Sequence, residues 1–191
     1  MTAPRRHGAH VAASALLAVV AVTALVACGQ SQSAPAPAPA KSSEPVALSV
    51  NTPSESTRMI CAPEAQKDLA ATLGVKTVTP PTPTWLTHTY TCQYAYTDGH
   101  FTLSVKQLPD ATQTRDYFAS LGDRLTRRMR LTGLGQGAFT TADGSVIVQK
   151  DDKVLLVDVN GLPSRFGVPS DTRANAAISI AATIMGCWTG A

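Results

Sequence analysis

The residues of this 191-residue chain whose types could support chemistry are four cysteines, four histidines and a cluster of arginines. Two of the histidines, His88 and His100, lie beyond the amino-terminal segment. A protein zinc site takes three or four ligands at recognisable spacings, and neither histidine sits in a helical pair or beside a two-residue cysteine spacing. They read as surface or strand-edge histidines, so no metal ligand is assigned and no cofactor is expected. No Gly-x-Ser-x-Gly nucleophile elbow occurs. The carboxylates are scattered, and Asp151-Asp152 reads as a turn. Gly133-Leu134-Gly135-Gln136-Gly137 has the composition of a phosphate-cradling loop. However, it leads into Ala138-Phe139-Thr140 and a hairpin, whereas a dinucleotide fingerprint opens a helix. It is read as a glycine turn from helix to strand. No catalytic residue is assigned and no enzyme is expected.

Two features remain as a candidate contact surface. Arg124, Arg127, Arg128 and Arg130 crowd what reads as the end of a helix, where cations complement the negative end of the dipole. The other reading is an anion-binding patch for lipid headgroups, cell-wall phosphate or an acidic partner. Trp85, on a Pro-rich stretch, is either a lid on the core or an exposed aromatic anchor.

Cys28 has a different chemistry. Arg5 and Arg6 precede an uncharged run of 17 residues, Val11 to Ala27, which ends in Leu25-Val26-Ala27-Cys28-Gly29. The run has signal-peptide form and is short for a bilayer core, which takes about 20 helical residues. Its end resembles the lipobox of bacterial lipoproteins. That resemblance implies a diacylglyceryl thioether on Cys28, acyl chains such as palmitate, and cleavage just before it, with 1–27 as the lipoprotein signal peptide. Two acyl chains anchor a protein stably without a membrane span. The expected location is the extracytoplasmic face of the cell membrane.

Residues 28–57 are rich in Ser, Ala, Pro and Gln, including Ala34-Pro35-Ala36-Pro37-Ala38-Pro39. Almost nothing there can be buried to offset ordering entropy, so a disordered, partly polyproline stalk is expected. The formal charge of +3 includes Arg5 and Arg6; the chain from Cys28 onward carries fourteen basic and thirteen acidic residues. Such a balanced domain gives no support to nucleic-acid binding.

Residues 58–191 are long enough for one core. Pro63 opens a helix that stops at Gly74. Tyr90, Cys92, Tyr94 and Tyr96 share one strand face, and Phe101, Leu103 and Val105 share the next, with a turn at Asp98-Gly99. Asp110 and Gln113 start a second helix striped by Phe118, Leu121 and Leu125. Asp143-Gly144 joins a strand near Ala138–Thr141 to Ser145–Gln149, and Val154–Val159 follows. A last helix runs from Ser170 or Asp171 to Gly186. The order αββαβββα predicts a two-layer α+β domain: a curved antiparallel sheet of about five strands with three helices mostly on one side. Val146-Ile147-Val148 and Val154–Val157 are apolar on both faces and read as central strands.

With Cys28 set aside, three cysteines remain for an oxidising compartment, so one pair and one leftover thiol are expected. The favoured pair is Cys61 with Cys92, helix start to inward strand face, and Cys187 is the alternative partner for either.

Lipobox, Pro-rich stalk, a Cys at a first helix, a Cys in a Tyr-rich strand and the Gly133–Phe139 turn together resemble actinobacterial cell-envelope lipoproteins of no established activity. That resemblance implies a membrane-tethered extracytoplasmic α+β domain. The function expected is a non-enzymatic binding or accessory domain with an envelope protein or polymer as partner. Alternatives are a carrier of an apolar ligand or envelope lipid and, behind it, an enzyme of unknown reaction.

Overall fold

The computed structural model describes residues 51–189. Cys28, the segment 1–27 and the stalk up to residue 50 lie outside the described residues. The ordered chain begins with a short helix, α1 (Glu55–Arg58), followed by a 3-10 turn over Met59–Cys61. This is earlier than the boundary expected at Arg58. Thr57 is fully buried, and its hydroxyl donates to the Gln107 side-chain carbonyl at 3.3 Å, which also accepts the Ser54 N–H at 3.1 Å. Composition resembling a stalk is therefore drawn into the domain by one buried glutamine.

Helix α2 (Pro63–Leu73) has proline in its first turn and stops at Gly74, whose φ of 67° is left-handed backbone that favours glycine. A Cβ at Gly74 would collide with the Val168 carbonyl, while the Val168 N–H bonds the Leu73 carbonyl at 2.7 Å. Helix α3 (Ala111–Arg124) is capped as expected: Asp110 accepts the Gln113 N–H, and the Gln113 amide donates to its other oxygen, both at 2.8 Å.

Seven antiparallel strands form the main sheet, in the order β1-β2-β3-β7-β6-β5-β4. They are β1 (Pro83–Leu86), β2 (Thr89–Tyr96), β3 (Gly99–Gln107), β4 (Arg127–Leu131), β5 (Gly137–Thr141), β6 (Val146–Lys150) and β7 (Lys153–Asp158). A two-stranded ribbon, β8 (Arg165–Phe166) with β9 (Asp171–Thr172), precedes α4 (Arg173–Thr189). The domain is α+β, but with seven strands in the sheet rather than about five and four α-helices rather than three. The unforeseen strands are the two edges and the ribbon. Proline in β1 and three arginines in β4 hide strands that need to bury little.

Helices also cover both faces. Tyr94, Leu103, Val105, Val148, Leu155 and Val157 face α2 and α4, whereas Phe139, Ile147 and Val154 face α3. The expected two-layer arrangement thus becomes three layers over β5–β7. Strands β6 and β7 are central, as their two-sided apolar runs require. Helix α4 begins after β9 and passes through Gly186 instead of ending there. Its buried positions continue from Ala177, Ile180, Ala181 and Ile184 to Trp188, and Gly186 lies on the exposed side. Leu125, expected in the α3 stripe, is its C-cap and 37% exposed.

Cys61 and Cys92 are bonded, with their Cα atoms 5.8 Å apart. Closing this 31-residue separation stabilises the fold by about 3–4 kcal/mol in the chain-entropy model. The Tyr94 hydroxyl donates to the Ile60 carbonyl at 2.6 Å one residue away, and its ring stacks on Phe101 at 4.9 Å. Burial raises the pKa values of Tyr94 and Tyr96, so both remain neutral.

The β5–β6 turn is tied by Asp143. Burial raises its pKa, but the Thr141 hydroxyl, the Ser145 N–H at 3.1 Å and the Asn160 amide at 2.6 Å outweigh it, and the net shift is downward. A carboxyl whose folded pKa is depressed contributes stability above its unfolded value and loses it as pH falls through the folded one. Asp143→Asn should lower stability at neutral pH and flatten the acid limb of stability against pH between about pH 5 and 2. Urea unfolding of both proteins across that range measures it; parallel acid limbs would refute the assignment.

Candidate functional site

Three of the four clustered arginines lie on β4, not at a helix end; only Arg124 belongs to α3. Strand β4 is the edge of the sheet, and its pairing with β5 shifts register between Arg127 and Met129. Arg127 pairs with Thr141 and Arg130 with Phe139. Thr141 and Phe139 are two residues apart on β5 and share a face, so their partners do too. The extra residue, Arg128, makes a β-bulge that turns Arg127 and Arg130 to the same side, where an unbroken strand would set them on opposite sides.

That side faces α3. The Arg127 guanidinium lies 4.5 Å from the centre of the Phe139 ring and 5.8 Å from that of Phe118, and the two rings meet edge to face at 5.1 Å. Such cation–π contacts contribute about 0.5–1 kcal/mol at an exposed site and fix the guanidinium's plane. Gly122 of α3 leaves the space Arg127 occupies, since a Cβ there would overlap the guanidinium. Arg124 stands 5.9 Å above the Tyr117 ring.

Beside this pair the chain makes the glycine turn read from the sequence. Gly133 and Gly135 take φ values of 79° and 56°. The turn is not loose. The Gln136 N–H donates to the Gln149 carbonyl at 2.8 Å, and the Gln136 side chain accepts the Asp151 N–H at 2.6 Å and donates to its carboxylate at 3.3 Å. Arg127, Arg130, Phe118, Phe139, Gln149 and the turn enclose a cleft of about 340 Å³. No carboxylate lines it. The sole ion pair among the described residues joins Lys153 to Asp152, so none of the four arginines is neutralised by a carboxylate there. The arrangement can hold an anion against an aromatic wall. Phe118, Phe139 and Gln149 were not legible as site residues, because their apolar or strand periodicity reads only as core; the one available signal was the glycine turn beside the arginines.

Trp85 stands on β1, the opposite edge of the sheet, and shares no surface with the arginines. It packs on the main core, donates its indole N–H to the Asn51 carbonyl at 3.2 Å and meets His88 edge-on at 6.1 Å. These contacts are those of a lid rather than an anchor. His88 occupies the Thr87-His88 turn, and the His100 ring packs against Gly161. Among the described residues no group of three His, Cys, Asp or Glu could hold a metal ion. None of the described helices is long and apolar enough to cross a membrane. The core between the sheet and helices α2 and α4 is packed with Tyr94, Phe101, Leu103, Ile180 and Ile184, and a cleft of about 500 Å³ opens beside α2 between Ala70, Ala71 and Tyr96. No family model, curated protein or solved structure matches the chain.

Cys187, in the last turn of α4, is in no disulfide and lies 3.9 Å from an Asp68 carboxylate oxygen. Burial and then the Asp68 charge push its thiol pKa up, the opposite of what a nucleophile needs. Alkylation of Cys187 at pH 8 should be slower than that of a small-molecule thiol and should speed up several-fold in Asp68→Asn. A rate unaffected by the substitution, followed by intact mass, would discount the carboxylate's effect.

Proposed function

We propose that this protein is a membrane-anchored extracytoplasmic lipoprotein whose α+β domain is a non-enzymatic binding module of the cell envelope. The anchor is the lipid on Cys28, argued from the resemblance to a lipobox and from the Pro-rich stalk that follows. The contact surface is the arginine edge, Arg124 and β4, which meets an acidic envelope protein or polymer. One observation carries this reading: three arginines on the exposed edge strand and a fourth at the end of α3 have no carboxylate partner among the described residues. Surface arginines not paired with a carboxylate keep more of their field for an incoming anion, and charges at a rim act chiefly on association rate and salt dependence.

In cells, Cys28→Ala should release the protein from the membrane fraction with loss of the lipid mass; retention with unchanged mass would overturn the anchor. For the surface, a photo-crosslinker at Met129, which is 53% exposed on β4, is activated in intact envelopes. It should give an adduct that weakens with salt and is lost in the double charge reversal Arg124→Glu with Arg128→Glu. An adduct indifferent to both would overturn the contact assignment.

A further inference from the structure

We propose that the cleft between α3, the bulged strand β4 and the glycine turn is a binding site for a phosphate ester, the phosphate held by Arg127 and Arg130 and its sugar or polyol body resting against Phe118. This deepens the binding role proposed above, of which it is a separate and more inward part: Arg124 and Arg128 serve the outer surface, Arg127 and Arg130 the cleft.

Charge is the first ground. Two guanidiniums converge on one side of the strand because of the bulge, and no carboxylate lines the cleft. Two uncompensated positive charges match a phosphomonoester dianion, or adjacent diester groups, better than one carboxylate. Guanidinium forks also fit phosphate oxygens in pairs. Arg127 is already oriented by Phe139, so little side-chain freedom is lost when it binds.

The backbone is the second ground. Gly133, Leu134 and Gly135 line the cleft, and none of their N–H groups donates to a backbone carbonyl of the described residues. Glycine backbone at positive φ followed by further N–H groups makes concavities suited to anions. The turn does not drift, since Gln136 is bonded on both backbone and side chain.

Size is the third. A phosphate group fills about twice the volume of a water molecule, roughly 60 Å³. The cleft of about 340 Å³ therefore has space for an organic body as well. Phe118 is half-buried on its wall, next to the polar amide of Gln149. An aromatic face beside an amide suits the mixed C–H and hydroxyl surface of a sugar or glycerol unit.

The chemistry is common to a soluble phosphate ester and to a phospholipid headgroup, and the test separates them. Full-length protein in micelles of an uncharged detergent is titrated calorimetrically with glycerol phosphate and with glycerate, which carries a carboxylate on a similar body. Separately, full-length protein with Cys28→Ala is sedimented with vesicles of phosphatidylglycerol or of phosphatidylcholine. Glycerol phosphate binding in preference to glycerate, weakened about tenfold or more by Arg130→Gln and partly restored by Arg130→Lys, supports a soluble or polymeric ester. Binding to phosphatidylglycerol vesicles alone, with the same response to Arg130→Gln, supports a headgroup. Arg130 is exposed on the edge strand, so an unchanged thermal midpoint is expected of these variants; Gly135→Ala, which closes the turn against the Gln149 carbonyl, is a second disruption that leaves both charges in place. Equal binding of glycerate, binding indifferent to Arg130→Gln and Gly135→Ala, or no binding of either glycerol phosphate or phosphatidylglycerol vesicles would overturn the proposal. Failure here with the Met129 adduct intact would leave the outer contact surface standing.

Discussion

The constraint on which the structure depends is that β6 and β7 are apolar on both faces. Val146, Ile147 and Val148 are consecutive and fully buried, as are Leu155 and Val157, with Val154 nearly so. A strand with that pattern cannot leave one side in water. It needs a helix layer on each face, and α3 is the element that supplies the second. Once α3 lies across β5–β7, Phe118 meets Phe139, and the edge strand that follows α3 has an aromatic surface on which to set Arg127. The cleft is thus a by-product of covering the sheet twice.

The second determinant is local. A β-strand separates residues three apart onto opposite faces. The bulge at Arg128 cancels that rule at one position, and the result is two cations on one wall. Arg124 and Arg128 remain outside, so the four arginines form an inner pair and an outer pair, although they are nearly contiguous in sequence. Trp85, grouped with them by type alone, belongs to the far edge and to the core.

The parts of the fold legible in the sequence are those set by short-range chemistry. Pro63 and Gly74 bound α2, Asp110 and Gln113 start α3, and the Asp-Gly pairs at 98–99 and 143–144 mark the β2–β3 and β5–β6 hairpins. An inward strand face opposite a helix start favours the Cys61–Cys92 pair over one with Cys187, and that pair is the one formed. Illegible were elements whose identity comes from neighbours rather than from their own pattern. Strand β4 has arginine where a buried strand would have valine, and it forms because β5 offers hydrogen bonds. Strand β1 hides behind prolines for the same reason. Gly186 reads as a helix stop, yet the stripe ending in Trp188 outweighs the cost of about 1 kcal/mol for glycine in a helix. The two-sided character of β6 and β7 was visible, but its consequence, a helix on the second face, requires the strand order.

The disulfide also has a mechanical meaning. A load arriving along the chain at Asn51 would first strain the Ser54 and Thr57 bonds to Gln107 and could peel α1 away. At Cys61 it meets a covalent branch into the middle of β2, a strand hydrogen-bonded to neighbours on both sides. Tension then divides at that branch, and the closed segment between Cys61 and Cys92, which contains all of α2 and β1, is short-circuited. Only the first ten or so residues of the domain can extend under pull, and everything that shapes the arginine cleft lies beyond the branch point.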